Sequence, residues 1–230
     1  MIPLKDDNPT SAQPVVTLVV IGLCVLVFLW QLTLSQEGGQ AAIYALGFIP
    51  AVFFGSVELP PQLSWVPAPV TVFTSMFVHG GLLHLAGNML YLWIFADNVE
   101  DSMGHGRFVL FYGLCGVAAA LAQAAPAIGS TVPMIGASGA VSGVLGAYVL
   151  LYPHARVLVA VPLVVVLYTL RLPAILVLGI WFLGQLLSTL AAPTGGGGVA
   201  FRAHLGGFVA GLLLIRVFSN QRPSGKLFGR

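Results

Sequence analysis

Five polar side chains of this 230-residue chain stand near the starts of stretches that are mostly apolar. They are His79, His84, Asn88, Ser138 and His204. A polar side chain inside an apolar membrane segment is costly and therefore indicates a functional role. A serine bonded to a histidine makes a nucleophile with its general base, and amide or imidazole N–H groups can stabilise a developing oxyanion. These residue types predict acyl-transfer chemistry with Ser138 as the nucleophile.

The composition of the chain is that of a membrane protein. Hydrophobic residues make up 58% of the sequence and charged residues 7%, whereas soluble domains contain about 25% charged residues. The net charge of +2 is too small to indicate a nucleic-acid partner. The two cysteines, Cys24 and Cys115, stand in apolar segments and predict small core side chains rather than a disulfide or a metal site.

Six apolar segments are predicted to cross the membrane, because a spanning helix needs about 20 mostly apolar residues. They cover residues 15–34, 81–99, 108–124, 135–151, 172–190 and 199–218. The sequence thus predicts an all-α polytopic membrane protein with a six-helix bundle over residues 15–218. Residues 1–14 and 219–230 are predicted to be cytoplasmic tails, the second of them basic.

The segments between the predicted spans differ in character. Residues 35–70 contain no Lys or Arg and predict a long first loop, with short helices in the headgroup region. Residues 157–170 are apolar but short and contain Pro162, so we expect them to approach the bilayer without crossing it. The glycine run at 195–198 is predicted to be a flexible hinge.

Basic residues indicate how the spans are oriented. One side of the predicted membrane holds Lys5, Arg107, Arg156, Arg171, Arg216, Arg222, Lys226 and Arg230. The alternate loops contain only Arg202, so both termini are predicted to be cytoplasmic. The second, fourth and sixth spans then start at the outer surface. Because the five polar side chains lie within about two turns of these starts, they are predicted to share one layer near the outer face.

Two rows of small residues indicate how the fourth and sixth spans meet. At every fourth position stand Gly139, Gly143 and Ala147 in one span and Ala203, Gly207 and Gly211 in the other. Small residues at this spacing let helix backbones approach closely. We expect the docked rows to bring the Ser138 hydroxyl to the His204 imidazole. The predicted layer holds no Asp or Glu, so the expected machinery is a dyad, with oxyanion donors from Asn88, His84 and the Ser138 amide.

Three short motifs contain the five polar residues. They are His79-x4-His84-x3-Asn88, Gly136-Ala137-Ser138-Gly139 and Ala203-His204-x2-Gly207. In this order, on predicted spans two, four and six, they resemble the rhomboid family of intramembrane serine proteases. The resemblance covers about residues 15–218. It implies a six-helix core that cleaves the transmembrane segments of single-span membrane proteins near the outer membrane face.

The resemblance also implies a role for each site residue. Ser138 is the nucleophile and His204 the general base of a reaction through an acyl-enzyme. His84, Asn88 and the Ser138 amide form the oxyanion site. Other motif positions are expected to support the site, namely His79, Gly136, Gly139, Ser142 and Gly207.

Several positions depart from the family or leave their role open. Members often carry an aromatic residue at the position of Ser142, stacked on the catalytic histidine. We hypothesise that the Ser142 hydroxyl, or a water, instead bonds the second ring nitrogen of His204. His79 is expected mainly to tie the first loop to the bundle. Trp181 and Phe182 on the fifth span are either a lateral substrate gate or lipid-facing side chains.

Two other functions remain open. The imidazoles of His79, His84 and His204 could hold zinc with an open coordination position, although no carboxylate stands in the predicted layer as a general base. A small-solute transporter would show an internal repeat, which the halves of the sequence lack. We expect no metal, nucleotide or other cofactor. The expected partners are membrane-anchored substrates and the lipid bilayer, in a bacterial inner membrane with the site opening outside.

Overall fold

The computed structural model describes residues 1–163, 166–191 and 200–220. In chain order its strands and helices are β1 (Ile2–Asp6), α1 (Val15–Thr33), α2 (Gln36–Leu46), α3 (Pro50–Phe53), α4 (Thr71–Thr74), α5 (Leu82–Met103), α6 (His105–Ala124), α7 (Ser138–Leu151), β2 (Arg156–Leu163), β3 (Val166–Pro173), α8 (Ala174–Ala191) and α9 (Phe201–Phe218). The glycine run at 195–198 and residues 221–230 of the predicted basic tail lie outside the described residues.

The long helices coincide with the predicted spans. Within the described ranges, α1, α6, α8 and α9 are each long and apolar enough to cross a membrane. Helix α5 begins one residue after the start of the predicted second span, and α7 begins three residues after the start of the fourth. Eleven of the 14 residues of α7 are buried. Because a helix that is apolar and buried all round lies in the core, α7 is the central helix of the bundle.

Helices α7 and α9 contact each other backbone to backbone. A Cβ atom added at Gly207 would collide with the carbonyl oxygen of Gly139, and one at Gly211 with that of Gly143. No larger side chain fits at these positions, so the conformational cost of glycine in a helix is offset by close packing. The predicted docking of the two rows of small residues is confirmed.

A three-stranded antiparallel sheet, in the order β1-β2-β3, corrects the prediction of an all-α fold. Strand β2 pairs with both neighbours, for example through Val159 opposite Leu170 of β3. The segment 157–170, predicted as a half-buried approach to the bilayer, forms most of two strands. Its branched aliphatic residues favour extended backbone. Val157 and Val159, two residues apart and so on one face of β2, are both buried.

Two carboxylates near the end of α5 hold the start of α1. The buried Glu100 carboxylate accepts hydrogen bonds from the backbone N–H groups of Val16 and Thr17, each at 2.8 Å, and from the Thr17 hydroxyl at 2.6 Å. Asp101 accepts from the backbone N–H and the hydroxyl of Ser11. Negative charge is favourable there because the first N–H groups of a helix have no helical partner. These five residues are the anchor cluster.

The first loop contains the short helices α2 and α3. Phe48 forms an antiparallel bridge with Met134, so the loop is joined to the segment that precedes α7. The position of these helices in the headgroup region stays a prediction.

Candidate active site

Ser138 and His204 meet where α7 and α9 begin. Ser138 is the first residue of α7, and His204 lies in the first turn of α9. The close approach of the two helices brings His204 Nε2 to 2.8 Å from Ser138 Oγ, which is a hydrogen-bond distance. His204 is buried and Ser138 is half-buried. In this arrangement the imidazole can take the proton of the hydroxyl.

The second ring nitrogen of His204 is bonded by Gln185 and not by Ser142. His204 Nδ1 lies 2.6 Å from Gln185 Oε1 of α8. The Ser142 hydroxyl donates instead to the carbonyl oxygen of Ser138 at 2.6 Å. The hypothesis that Ser142 bonds His204 is therefore wrong. A helical serine readily reaches the carbonyl four residues earlier in its own helix, and that bond occupies the hydroxyl here.

An aromatic ring beside His204 also comes from α8. The ring centroids of Trp181 and His204 are 5.9 Å apart with the planes inclined by 35°. Phe201 approaches the same imidazole edge-on at 6.4 Å. Trp181 and Phe182 both pack against Phe208 of α9, at 6.1 and 4.6 Å. The two side chains therefore contact α9, and their role as a gate stays a prediction.

His84 and Asn88 lie on one face of α5, next to the backbone of Gly136. The Gly80 N–H donates to His84 Nδ1 at 3.3 Å, which leaves the proton of the neutral ring on Nε2. A Cβ atom at Gly136 would stand 2.6 Å from His84 Nε2 and 3.8 Å from Asn88 Nδ2. Gly136 has a φ of 108°, which favours glycine. The approach of both N–H donors to this backbone therefore requires glycine there.

A cavity of about 750 Å³ adjoins these side chains. Its wall includes Ser138, His204, His84 and Asn88, with Trp181 next to them. Ligand pockets commonly measure about 300–1,000 Å³. The cavity therefore has room for a few residues of extended peptide beside the Ser138 hydroxyl.

His79 is buried behind His84, with ring centroids 5.2 Å apart. Its backbone N–H and carbonyl each bond the Gln31 side chain of α1 at 3.1 Å. Its Nδ1 lies 3.0 Å from the carbonyl oxygen of Phe77. His79 therefore joins the segment before α5 to α1, and its ring lies next to that of His84. Its expected role in tying the first loop to the bundle stays a prediction.

The comparison with protein families covers the part of the chain that holds these residues. The family model of the Rhomboid domain matches residues 67–221. The chain belongs to the rhomboid family. The match runs from the end of the first loop through α9 and includes every predicted site residue of this rhomboid chain.

Two curated proteins are similar to this rhomboid. It is 29% identical over 191 residues to Rhomboid protein 1, mitochondrial, of Saccharomyces cerevisiae, an alignment that covers 74% of this chain and 51% of that protein. It is 31% identical over 139 residues to Rhomboid protease GluP of Bacillus subtilis, covering 60% of this chain and 24% of that protein. The alignments thus span about half of the yeast protein and about a quarter of the bacterial one.

Three glutamines near the site were not among the predicted residues. They are Gln31, Gln123 and Gln185. Their side chains bond, in that order, the backbone of His79, the N–H of Ala203 and the ring of His204. Each glutamine lies in the second half of a long apolar helix, and a polar residue within an apolar segment is the signal that identified the other site residues. The same rule applied to α1, α6 and α8 would have found them.

The contacts do not favour the zinc alternative. Both ring nitrogens of His204 are bonded, to Ser138 and Gln185, and His79 Nδ1 points at a carbonyl oxygen. Within the described part of the chain, no three His, Cys, Asp or Glu side chains are close enough together to hold a metal ion. The site instead presents a hydroxyl, imidazole rings and N–H donors around one cavity.

Proposed function

We propose that this rhomboid is an intramembrane serine endopeptidase that cleaves the transmembrane segments of single-span membrane proteins. The observation that carries the proposal is the 2.8 Å contact between Ser138 Oγ and His204 Nε2. It lies at the wall of a cavity that also receives the His84 and Asn88 side chains. Ser138 is the proposed nucleophile and His204 the proposed general base.

The first half of the proposed reaction forms an acyl-enzyme. His204 Nε2 takes the Ser138 proton as Oγ bonds to the scissile carbonyl carbon. The carbonyl oxygen becomes an oxyanion and accepts hydrogen bonds from His84 Nε2–H, the Asn88 amide and the Ser138 backbone N–H, which is in the first turn of its helix. His204 then gives its proton to the amide nitrogen, the C–N bond breaks, and the amine leaves.

The second half hydrolyses the ester on Ser138. His204 takes a proton from a water molecule as the water oxygen bonds to the acyl carbon. The same donors hold the second oxyanion. When the bond from Ser138 Oγ to the acyl carbon breaks, Oγ regains a proton from His204 and the carboxylic acid product is released. The cycle consumes one water and needs no cofactor.

The proposed substrates are helical membrane anchors that open near the cleavage site. A peptide carbonyl within a helix is bonded to the N–H four residues further on. It cannot accept the oxyanion donors until that bond is broken. Glycine or proline near the scissile bond lowers the cost of opening the helix, so we expect such residues in good substrates.

We further propose that α1 and α5 to α9 make six spans of a bacterial inner membrane, with both termini in the cytoplasm. Lys5, Arg156 and Arg171 line one pocket with Asp97, near the end of α5 that is remote from His84. Basic residues are enriched on the cytoplasmic side of membrane proteins. The placement of these basic residues supports the proposal that the three-stranded sheet lies on the cytoplasmic side and that the cavity at Ser138 opens to the outside.

The test compares wild-type protein with Ser138→Ala, both purified and supplied with a single-span substrate in liposomes. We expect Ser138→Ala to reduce kcat by about 10³-fold or more, because the nucleophile is lost. A fluorophosphonate should label the wild type and not the variant. Equal cleavage by the two proteins would overturn the proposal.

Ser102→Ala is the matched control for the loss of a buried serine hydroxyl. Ser102 is buried and donates to the carbonyl oxygen of Val99, near the other end of α5. We expect this variant to cleave and to label like the wild type. A loss equal to that of Ser138→Ala would show that both changes act through folding.

A further inference from the structure

We propose that Gln185 is a positioning residue for His204, so that the base is oriented by α8. The inference rests on the proposed protease function. Gln185 Oε1 lies 2.6 Å from His204 Nδ1, while His204 Nε2 lies 2.8 Å from Ser138 Oγ. The imidazole is thus bonded at both nitrogens, to the amide on one side and to the nucleophile on the other.

The amide oxygen selects the tautomer that a base requires. A neutral imidazole carries one proton, and the other nitrogen is an acceptor. With Gln185 Oε1 facing Nδ1, the proton is held on Nδ1 and the lone pair of Nε2 points at the Ser138 hydroxyl. The opposite tautomer would donate from Nε2 and could not take the serine proton. An acceptor at Nδ1 has this function in serine hydrolases generally, where a carboxylate commonly supplies it.

The uncharged amide of Gln185 is suited to its position in the apolar helix α8. Gln185 lies in the second half of an apolar helix, 18 residues long, that can cross a membrane. An ionised side chain in such a segment is expensive. A primary amide offers the same acceptor oxygen without a charge, and it bonds the imidazolium as well as the neutral ring.

The spacing of residues on α8 shows that Gln185 stands at an inward position. Ala174 and Leu178 are buried in the first half of the helix, Trp181 follows them, and Gln185 continues the stripe at intervals of three and four residues. An apolar residue is expected at the fourth position of such a stripe. Gln185 is the polar exception, and it bonds the one side chain that must be oriented.

The orienting contacts therefore come from α8 and not from α7. Trp181 packs on the His204 ring at 5.9 Å, and Gln185, one turn further along the same face, bonds its Nδ1. On α7, Ser142 is bonded to the carbonyl of Ser138. It follows that the docking of α8 on α9 orients His204 as a base.

The test compares Gln185→Leu and Gln185→Glu with the wild type in the cleavage assay. Leucine has no acceptor, so we expect kcat to fall about 10- to 100-fold, while KM stays within about twofold because the side chain holds the base and not the substrate. Glutamate keeps an acceptor oxygen in either protonation state. We expect Gln185→Glu to retain kcat within about tenfold of the wild type.

The pH profile gives a readout that a purely structural role would not change. The charged or titratable groups that line the cavity with His204 include His84 and Arg202, and neither is altered. An added carboxylate next to Nδ1 stabilises the imidazolium. The acidic limb of the kcat profile should therefore move to higher pH in Gln185→Glu and not in the control.

Thr189→Val, one turn further along α8, is the matched control. The Thr189 hydroxyl is a buried polar group without a hydrogen-bond partner among the described residues. Its loss should leave kcat and the pH profile unchanged. Wild-type kcat and an unchanged profile in both Gln185 variants would overturn the inference while the protease function stands. If the protease function itself fails, the wild type will show no Ser138-dependent cleavage at all.

Discussion

Two polar clusters stand near opposite ends of α5 and are built from different chemistry. The site cluster, made up of Ser138, His204, His84 and Asn88, contains no carboxylate and adjoins a cavity. The anchor cluster uses the carboxylates of Glu100 and Asp101, bonded to the chain that enters α1. Asn88 and Glu100 are twelve residues apart, which is about 18 Å along a helix. The same helix thus carries part of the proposed active site near its start and a structural joint near its end.

The two clusters differ in whether other groups of the protein satisfy their hydrogen-bonding atoms. Glu100 is 1% exposed and accepts from two backbone N–H groups, the Thr17 hydroxyl and the His105 ring, so the protein itself satisfies the carboxylate. In the site cluster, the His84 side chain lines the cavity, and its Nε2 lies next to Gly136. A buried polar cluster bonded by the protein stabilises the fold, whereas donors left facing a cavity can bind a reacting atom.

The largest expected effect on folding comes from Glu100→Ala. Loss of the carboxylate leaves the first N–H groups of α1 and the Thr17 hydroxyl without their acceptor, which costs about 3 kcal/mol or more. We expect the midpoint of thermal unfolding in detergent to fall by about 6–12 °C. The kcat of the molecules that remain folded should be unchanged. A reduced kcat at full folding would contradict the separation of the two clusters.

Glu100→Gln sharpens the same comparison. The amide keeps one acceptor oxygen but loses the charge next to the first turn of α1. Its unfolding midpoint should lie between those of the wild type and Glu100→Ala. A midpoint as low as that of Glu100→Ala would assign the stabilisation to charge rather than to the number of hydrogen bonds.

The reverse pattern is expected for Asn88→Ala. Removal of this proposed oxyanion donor is expected to reduce kcat by about 10²- to 10³-fold with little change in KM. The Asn88 amide bonds the His84 carbonyl within its own helix at 3.0 Å, so the unfolding midpoint should move little. Kinetics and thermal unfolding measured on the same preparation check both parts.

Asn98→Ala is the control at the other end of α5. The Asn98 amide donates to the backbone carbonyl of Asn8 at 3.0 Å, which joins α5 to the N-terminal segment. This variant should lose stability and keep its kcat. If the Asn88 and Asn98 variants behave alike, the two ends of α5 do not have separate roles.

The contact between Ser138 and His204 could be predicted from the sequence because the residues around each of them indicate which helix face packs inward. Glycines at every fourth position determine which faces of α7 and α9 meet, and each polar residue is adjacent to such a row. The contact of Gln185 with His204 could not be predicted in this way. Helix α8 contacts α9 through large side chains such as Trp181 and Phe182, and no small-residue pattern sets its rotation.

The sheet could not be predicted for a different reason. A short apolar run such as 157–170 is compatible with either a helix or a strand, and periodicity alone does not decide between them. Its partner on one side is β1, near the N-terminus and far away in sequence, where Ile2 pairs with Ala160. Pairing of two strands so far apart in sequence depends on the assembled helices. These bring Asp6 of β1 to the Tyr148 hydroxyl of α7.

The smallest effect is expected from Ser142→Ala. The Ser142 hydroxyl bonds the Ser138 carbonyl within α7 and does not bond His204, so its loss should cost about 1 kcal/mol or less and leave kcat within about twofold. The double variant with Gln185→Leu should show the effect of Gln185→Leu alone, because changes that share no partner are additive. A tenfold loss of kcat in Ser142→Ala, or strong coupling between the Ser142→Ala and Gln185→Leu changes, would indicate that α7 orients His204. If Ser142→Ala leaves kcat unchanged and Gln185→Leu lowers it strongly, α8 orients His204.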